Sequence, residues 1–187
     1  MYYTDFTAVP HQQYSVILAD PPWAYNDKLT GHSFSLDHEY PTIGIEAIKA
    51  LPVRPITTTD AVLFLWATSP NLPLAFDVMK SWGFKYKTVA FYWSKRMASG
   101  KEVVNLGRWT MGNVELCLLG VKGHPKRVVR NVRQLVTSVR GRHSEKPAEV
   151  RNRIEVLMGD VKRIELFARG PEAAGWDAWG NEPGTAR

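Results

Sequence analysis

The chain has 187 residues, 44% of them hydrophobic and 22% charged, which suits one well-buried globular domain and is short for two. Its formal charge is +6 and it holds a single cysteine, Cys117, which excludes an internal disulfide and a cysteine-built zinc cluster. The longest strongly apolar run, AVLFLWA at 61–67, is far short of a membrane span, and the N-terminal MYYTDFTAVP has no secretory pattern, so a cytoplasmic protein is expected.

In chain order, YSVILA (14–19) is short, apolar and partly β-branched, and predicts a buried strand. Residues 24–40 are polar and aperiodic and predict a long loop of the kind used as lids or binding loops. TIGIEAIKAL (42–51) carries Ile45, Ile48 and Leu51 at helical spacing. A second buried strand is expected at 61–67, then a helix over 71–84 stopped by Gly83, a third strand at 86–95, an irregular connection at 96–112 and a fourth strand at 113–123. A further strand is expected around Val128 and Val129. The segment 146–159 predicts a helix with Pro147 in its first turn and Gly159 at its end, and 162–169 predicts a last core strand. The Gly- and Pro-rich tail predicts no more than a helical turn. Strands alternating with helices imply an α/β domain with a mostly parallel, doubly wound sheet, which binds its ligands outside the carboxyl ends of the strands.

The first strand runs directly into Asp20, Pro21, Pro22 and Trp23. A carboxylate at the end of a core strand is costly as structure. It suits chemistry on an exocyclic amine, whose lone pair is delocalised into its ring. Hydrogen-bond acceptors for both amine protons help the nitrogen pyramidalise. Asp20 supplies one acceptor and the Pro21 carbonyl another, held in advance by the stiff Pro-Pro backbone. Trp23 offers a face on which a base can stack. A duplex base would have to be flipped out to reach such a pocket. Five scattered histidines form no ligand pair, and nothing in the pattern argues for a metal ion.

The cations crowd into residues 122–153, among them Lys122, Lys126, Arg127, Arg130, Arg133, Arg140 and Arg142, against only Glu145 and Glu149. Such an excess reads either as a phosphate-binding surface for a nucleic acid or as a solvated basic face.

ADPPW, followed in order by LFLWATS, WGFKYKTVAFYWSK, GNVELCLLGVKG, HSEKPAEVRNRIE and RIELFARGPEAAGWDAWGNE, resembles the DPPW-type adenine-N6 methyltransferases related to the seventy-kilodalton catalytic subunit of the eukaryotic mRNA adenosine methyltransferase. The resemblance covers most of the chain. It implies a single Rossmann-like methyltransferase domain over 1–187, with the catalytic motif ahead of the main cofactor-binding segment. It implies S-adenosylmethionine as methyl donor, and adenine in DNA rather than RNA as acceptor, as in a minimal bacterial or phage-like member. The same chemistry on RNA and an inactive nucleic-acid-binding relative are the alternatives. Residue by residue, it makes Asp20, Pro21, Pro22 and Trp23 the catalytic tetrad, with Asp20 also near the cofactor. Tyr40 becomes a gate residue, Lys146 a partner of the cofactor's carboxylate, Arg169 a neighbour of its ribose, and Asn181 and Glu182 its ribose ligands. Asp5 becomes an acid near its adenine. Some relatives follow the arginine with Pro-His-Asn, where this chain has Gly170, Pro171 and Glu172. A homo-oligomer or a partner subunit is also within the family's habits.

Overall fold

The computed structural model describes residues 1–23, 44–107, 109–141 and 145–180. Its elements in chain order are β1 (Tyr2–Tyr3), β2 (Tyr14–Ala19), α1 (Ile45–Ala50), α2 (Val53–Ile56), β3 (Thr57–Ala67), α3 (Leu72–Ser81), β4 (Lys85–Arg96), β5 (Val114–Lys122), β6 (Leu135–Val139), α4 (Ala148–Met158), β7 (Arg163–Leu166) and β8 (Asp177–Trp179). The strands form one sheet in the order β1-β8-β7-β2-β3-β5-β4-β6. Only β5 opposes its neighbours; the other strands all run the same way. The sheet therefore has one edge where every strand but β5 ends and where β5 begins.

Period-two alternation splits the core into two layers. Ile17, Ala19, Leu63 and Leu65 face one side and pack with Ile48, Val78, Met79 and Trp82 of the α1–α3 region. Val16, Leu18, Phe64 and Trp66 face the other and meet Val150, Ile154 and Met158 of α4. The central strands are buried on both faces, which is why they read as unbroken apolar runs. The Trp82 indole N–H, buried, donates to the Ile48 carbonyl at 2.9 Å and ties α1 to the end of α3. Gly159 ends α4 at φ 74°, ψ −161°, a conformation essentially reserved for glycine, and a Cβ there would meet Val128 Cγ1 at 3.0 Å.

Three expectations need correction. No strand forms around Val128 and Val129. Val128 is 66% exposed and its amide caps the end of α4 by donating to Leu157 O at 2.9 Å. The cations around these two valines leave no apolar alternation for a sheet to bury. The usable pattern starts at Leu135, where Val136 pairs with Trp93 and is fully enclosed. The strand expected to run through residue 169 stops at Leu166, because Phe167 turns to φ 62°. The tail forms a strand, β8, held between β7 and the equally short β1. Its Ala178 and Trp179 are buried, and pairing on both sides offsets what so short a segment lacks in propensity. Among the described residues no helix is long and apolar enough to cross a membrane.

Candidate active site

The carboxyl edge gathers charged groups from separate parts of the chain. Asp20 follows β2 directly, Lys95 is the penultimate residue of β4, Glu115 is the second residue of β5, and Lys146 stands just ahead of α4. Lys146 Nζ donates to Asp20 Oδ2 at 2.8 Å and lies 3.5 Å from Glu115 Oε2. Lys95 pairs with the other Glu115 oxygen. Lys146 Nζ also sits 5.5 Å from the centre of the Trp66 ring, and Lys95 Nζ 4.6 Å from that of Trp93, the two rings meeting edge to face at 6.1 Å. Two ammonium groups and two carboxylates thus alternate in a chain laid over an aromatic floor. A shallow cavity of about 270 Å³ opens beside Lys146, lined by Trp93, Ser138, Glu145 and Pro147 among others. A slightly larger one, about 300 Å³, lies at the opposite edge near Met1, Arg163 and Asp177, away from these groups.

The chain of charges tunes its members. Burial alone would lower the Lys146 ammonium, but the Asp20 and Glu115 carboxylates outweigh it and hold Lys146 above the ordinary lysine range. Burial would likewise raise Glu115, but Lys146 and then Lys95 hold it below the ordinary carboxylate range. Glu115, being depressed, contributes stability that is present above the unfolded carboxylate value and lost as pH falls through its folded one. Lys146, being raised, contributes stability that is present below the unfolded lysine value and lost as pH rises through its folded one. A thermal-melting series is therefore expected to show a plateau between about pH 5 and about pH 9, falling on both sides, with a shallower acid limb in Glu115→Gln. Superimposable acid limbs would remove Glu115 from this account.

The turn after β2 is built tightly. The Trp23 amide donates to the Pro21 carbonyl at 2.8 Å, spanning Pro22, and Asp20 N–H donates to Leu166 O at 3.4 Å. Trp23 is 8% exposed, belongs to the α1–α3 core layer and donates its indole N–H to Trp66 O at 2.9 Å. Its ring, expected as a stacking face for a base, is here a prop beneath the Pro-Pro turn. Pro21 O keeps one lone pair, and among the described residues Asp20 uses only Oδ2 in side-chain bonding.

The remaining expected site residues fall into four groups. Arg169 is exposed, three residues past β7 at the same edge. Asp5, two residues past β1, spends both carboxylate oxygens on Thr7, at 2.9 Å from its amide and 2.7 Å from its hydroxyl, capping a short 3₁₀ turn. Tyr40, Arg142, Asn181 and Glu182 lie outside the described residues. The basic stretch is not brought to Asp20 as a unit. Lys122 ends β5 at the far edge, bonded to Thr57 Oγ1 at 2.7 Å and seven residues, about 24 Å of strand, from Glu115. Lys126 and Arg127 follow it there, and Arg130 and Arg133 lie on the exposed return toward β6. Of the described phosphate candidates only Arg140 reaches the carboxyl edge, its amide donating to Arg96 O at 3.0 Å. The run looked continuous because sequence distance hides that β5 is antiparallel. Lys95 and Glu115 were missed; the available signal was a charged residue next to the end of a strand beside its apolar stretch, VAFYW before Lys95 and LCLL after Glu115.

The residues present fit the methionine end of S-adenosylmethionine. That end carries one ammonium and one carboxylate, and Lys146 and Asp20 offer the complementary pair, side by side at the strand ends. A mostly parallel α/β sheet with this site at its carboxyl edge defines a methyltransferase of the Rossmann-like class. A profile of the MT-A70 family matches residues 14–182. The chain is 38% identical to a "Type II methyltransferase M.MunI" of Mycoplasma sp, over 95% of this chain and 81% of that one. It is 33% identical to an "N(6)-adenosine-methyltransferase MT-A70-like" protein of Arabidopsis thaliana and 29% to the human "N(6)-adenosine-methyltransferase catalytic subunit METTL3". These matches cover 90% and 91% of this chain but only 24% and 28% of those proteins, so it spans about a quarter of their length. The chain belongs to the MT-A70 family of S-adenosylmethionine-dependent adenine-N6 methyltransferases.

Proposed function

We propose that this protein methylates the N6 amine of adenine in DNA, with Asp20 and the Pro21 carbonyl as the acceptors that position that amine. The observation that carries the site assignment is the Asp20–Lys146 pair: one oxygen of a strand-end carboxylate is held at 2.8 Å by a buried ammonium while the other remains for substrate. DNA is favoured because the identity is higher with the Mycoplasma Type II methyltransferase, most of whose length this chain covers, than with the N(6)-adenosine methyltransferases.

When bound, S-adenosylmethionine supplies an electrophilic methyl group. Lys146 and Asp20 would hold the methionine end, and the family resemblance would put Arg169, Asn181 and Glu182 on the ribose side. Asp20 Oδ1 and Pro21 O accept hydrogen bonds from the two N6 N–H groups, which draws electron density onto the nitrogen as it leaves the plane of the ring. Pro21 and Pro22 keep the acceptors from relaxing away, and Trp23 supports them from below. No general base is needed at the transfer itself, because the extra proton sits on a cationic amine and can depart to water afterwards. Lys95 and Glu115 act through Lys146, fixing its ammonium against Asp20.

The test is transfer of labelled methyl from S-adenosylmethionine to unmethylated DNA and to RNA, with the products hydrolysed to nucleosides. Labelled N6-methyldeoxyadenosine is expected. Label only in the RNA product would overturn the choice of DNA, and label on cytosine would overturn the acceptor.

A further inference from the structure

We propose that the arch closed by Asn105 and Gly112 uses its Leu106 and Trp109 side chains as a wedge that enters the base stack of duplex DNA and holds open the gap left when the target adenine moves to Asp20; this rests on the reading of the substrate as DNA. The arch is a formed piece of structure. Asn105 and Gly112 exchange both backbone hydrogen bonds, at 2.8 and 2.9 Å. Its root is pinned by Val103, which is buried and donates its amide to Lys95 O at 3.0 Å. The tip is closed so tightly that a Cβ on Gly107 would come within 2.1 Å of Thr110 O. Among its described residues the largest apolar groups point into water: Leu106 is 91% exposed and Trp109 99%.

The position gives those side chains a use. Gly112 is three residues from Glu115, at most about 11 Å of chain, and Glu115 meets the Lys146 that holds Asp20. The arch therefore rises beside the candidate active site. The surface at its foot suits a polyanion. Lys101 and Arg140 are exposed, Arg140 is bonded through its backbone to Arg96, and the nearby Glu102 is neutralised by Arg96 at 3.0 Å. An adenine stacked in a duplex cannot reach Asp20 without leaving its neighbours, and an apolar side chain inserted at that step keeps the gap from closing. A second copy of this chain is the weaker occupant, because it would bring the same cations against these.

The experiment uses one phagemid in its duplex and single-stranded circular forms, with labelled methyl transfer from S-adenosylmethionine. Trp109→Ala and Leu106→Ala are expected to lose roughly tenfold or more on the duplex and to stay within about twofold of wild type on the single strand, while Trp109→Phe stays near wild type on both. Equal loss on both forms, or loss on neither, overturns the wedge. A readout free of chemistry accompanies it: wild type is expected to bind a duplex with one abasic site more tightly than the intact duplex, and Trp109→Ala to lose that preference. If wild type methylates neither form but keeps the preference, the methyltransferase reading falls and the wedge stands. Methylation without the preference overturns the wedge alone. A wild-type dimer in sedimentation that Trp109→Ala turns into a monomer assigns the arch to self-contact and also overturns it.

Discussion

Asp20→Asn is expected to lose methyl transfer as completely as Asp20→Ala, a fall in kcat of about 10²-fold or more, although it changes one atom. The reason lies in counting acceptors. A carboxylate offers two oxygens; Lys146 takes Oδ2 at 2.8 Å, and the proposed mechanism assigns Oδ1 to the amine of the base. An amide offers one oxygen and one NH₂. If the oxygen faces Lys146, the NH₂ points at the substrate's own N–H; if it faces the substrate, the NH₂ points at an ammonium. Either arrangement sets donor against donor. The volume is unchanged and Glu115 still faces Lys146, so Asp20→Asn should melt close to wild type, while binding S-adenosylmethionine more weakly because the carboxylate facing the cofactor's ammonium is gone. Single-turnover transfer with labelled cofactor, alongside a melt and a binding isotherm, separates the two roles. An Asp20→Asn variant within about threefold of the wild-type rate would remove Asp20 from the transfer step and leave it a purely structural partner of Lys146.

Why Asp20 could be picked out of the sequence and Glu115 could not is itself physical. Asp20 sits where an apolar run ends in two prolines, so the cost of the carboxylate and the stiffness of its neighbours are both local. Glu115 gains its meaning from Lys146 and Lys95, thirty-one and twenty residues away, and that contact exists only because β5 lies antiparallel between β3 and β4. The central strands were legible for the same local reason as Asp20. Buried on both faces, they carry unbroken apolar runs whose limits match the structure within a few residues. β1 and β8 were not legible, since strands of two or three residues exist only through pairing with each other and with β7. Lys122 shows the converse error. Its charge was visible, but strand direction, which composition does not encode, carries it to the edge away from Asp20.

Lys146→Met is expected to cost both stability and cofactor binding, and a second substitution should separate the two losses. Methionine keeps the length of the side chain and its contact with Trp66 but leaves Asp20 facing Glu115 without the ammonium between them. Lys95 still serves Glu115, so the orphaned charge is mainly Asp20. Removing one partner of a buried pair typically costs about 3–5 kcal/mol; Lys146 and Asp20 are 13% and 20% exposed, so solvent screening places the expectation at the lower end of that range or somewhat below it. Glu115 should also titrate higher than in wild type, because its largest opposing charge is gone. Adding Glu115→Gln removes the repulsion and should recover part of the lost stability, measured by urea denaturation. It should recover none of the affinity for S-adenosylmethionine, since the ammonium assigned to the cofactor's carboxylate is gone. Cofactor affinity returning together with stability in the double variant would show that Lys146 acts only by quieting the two acids, and the assignment of its ammonium to the cofactor would fall.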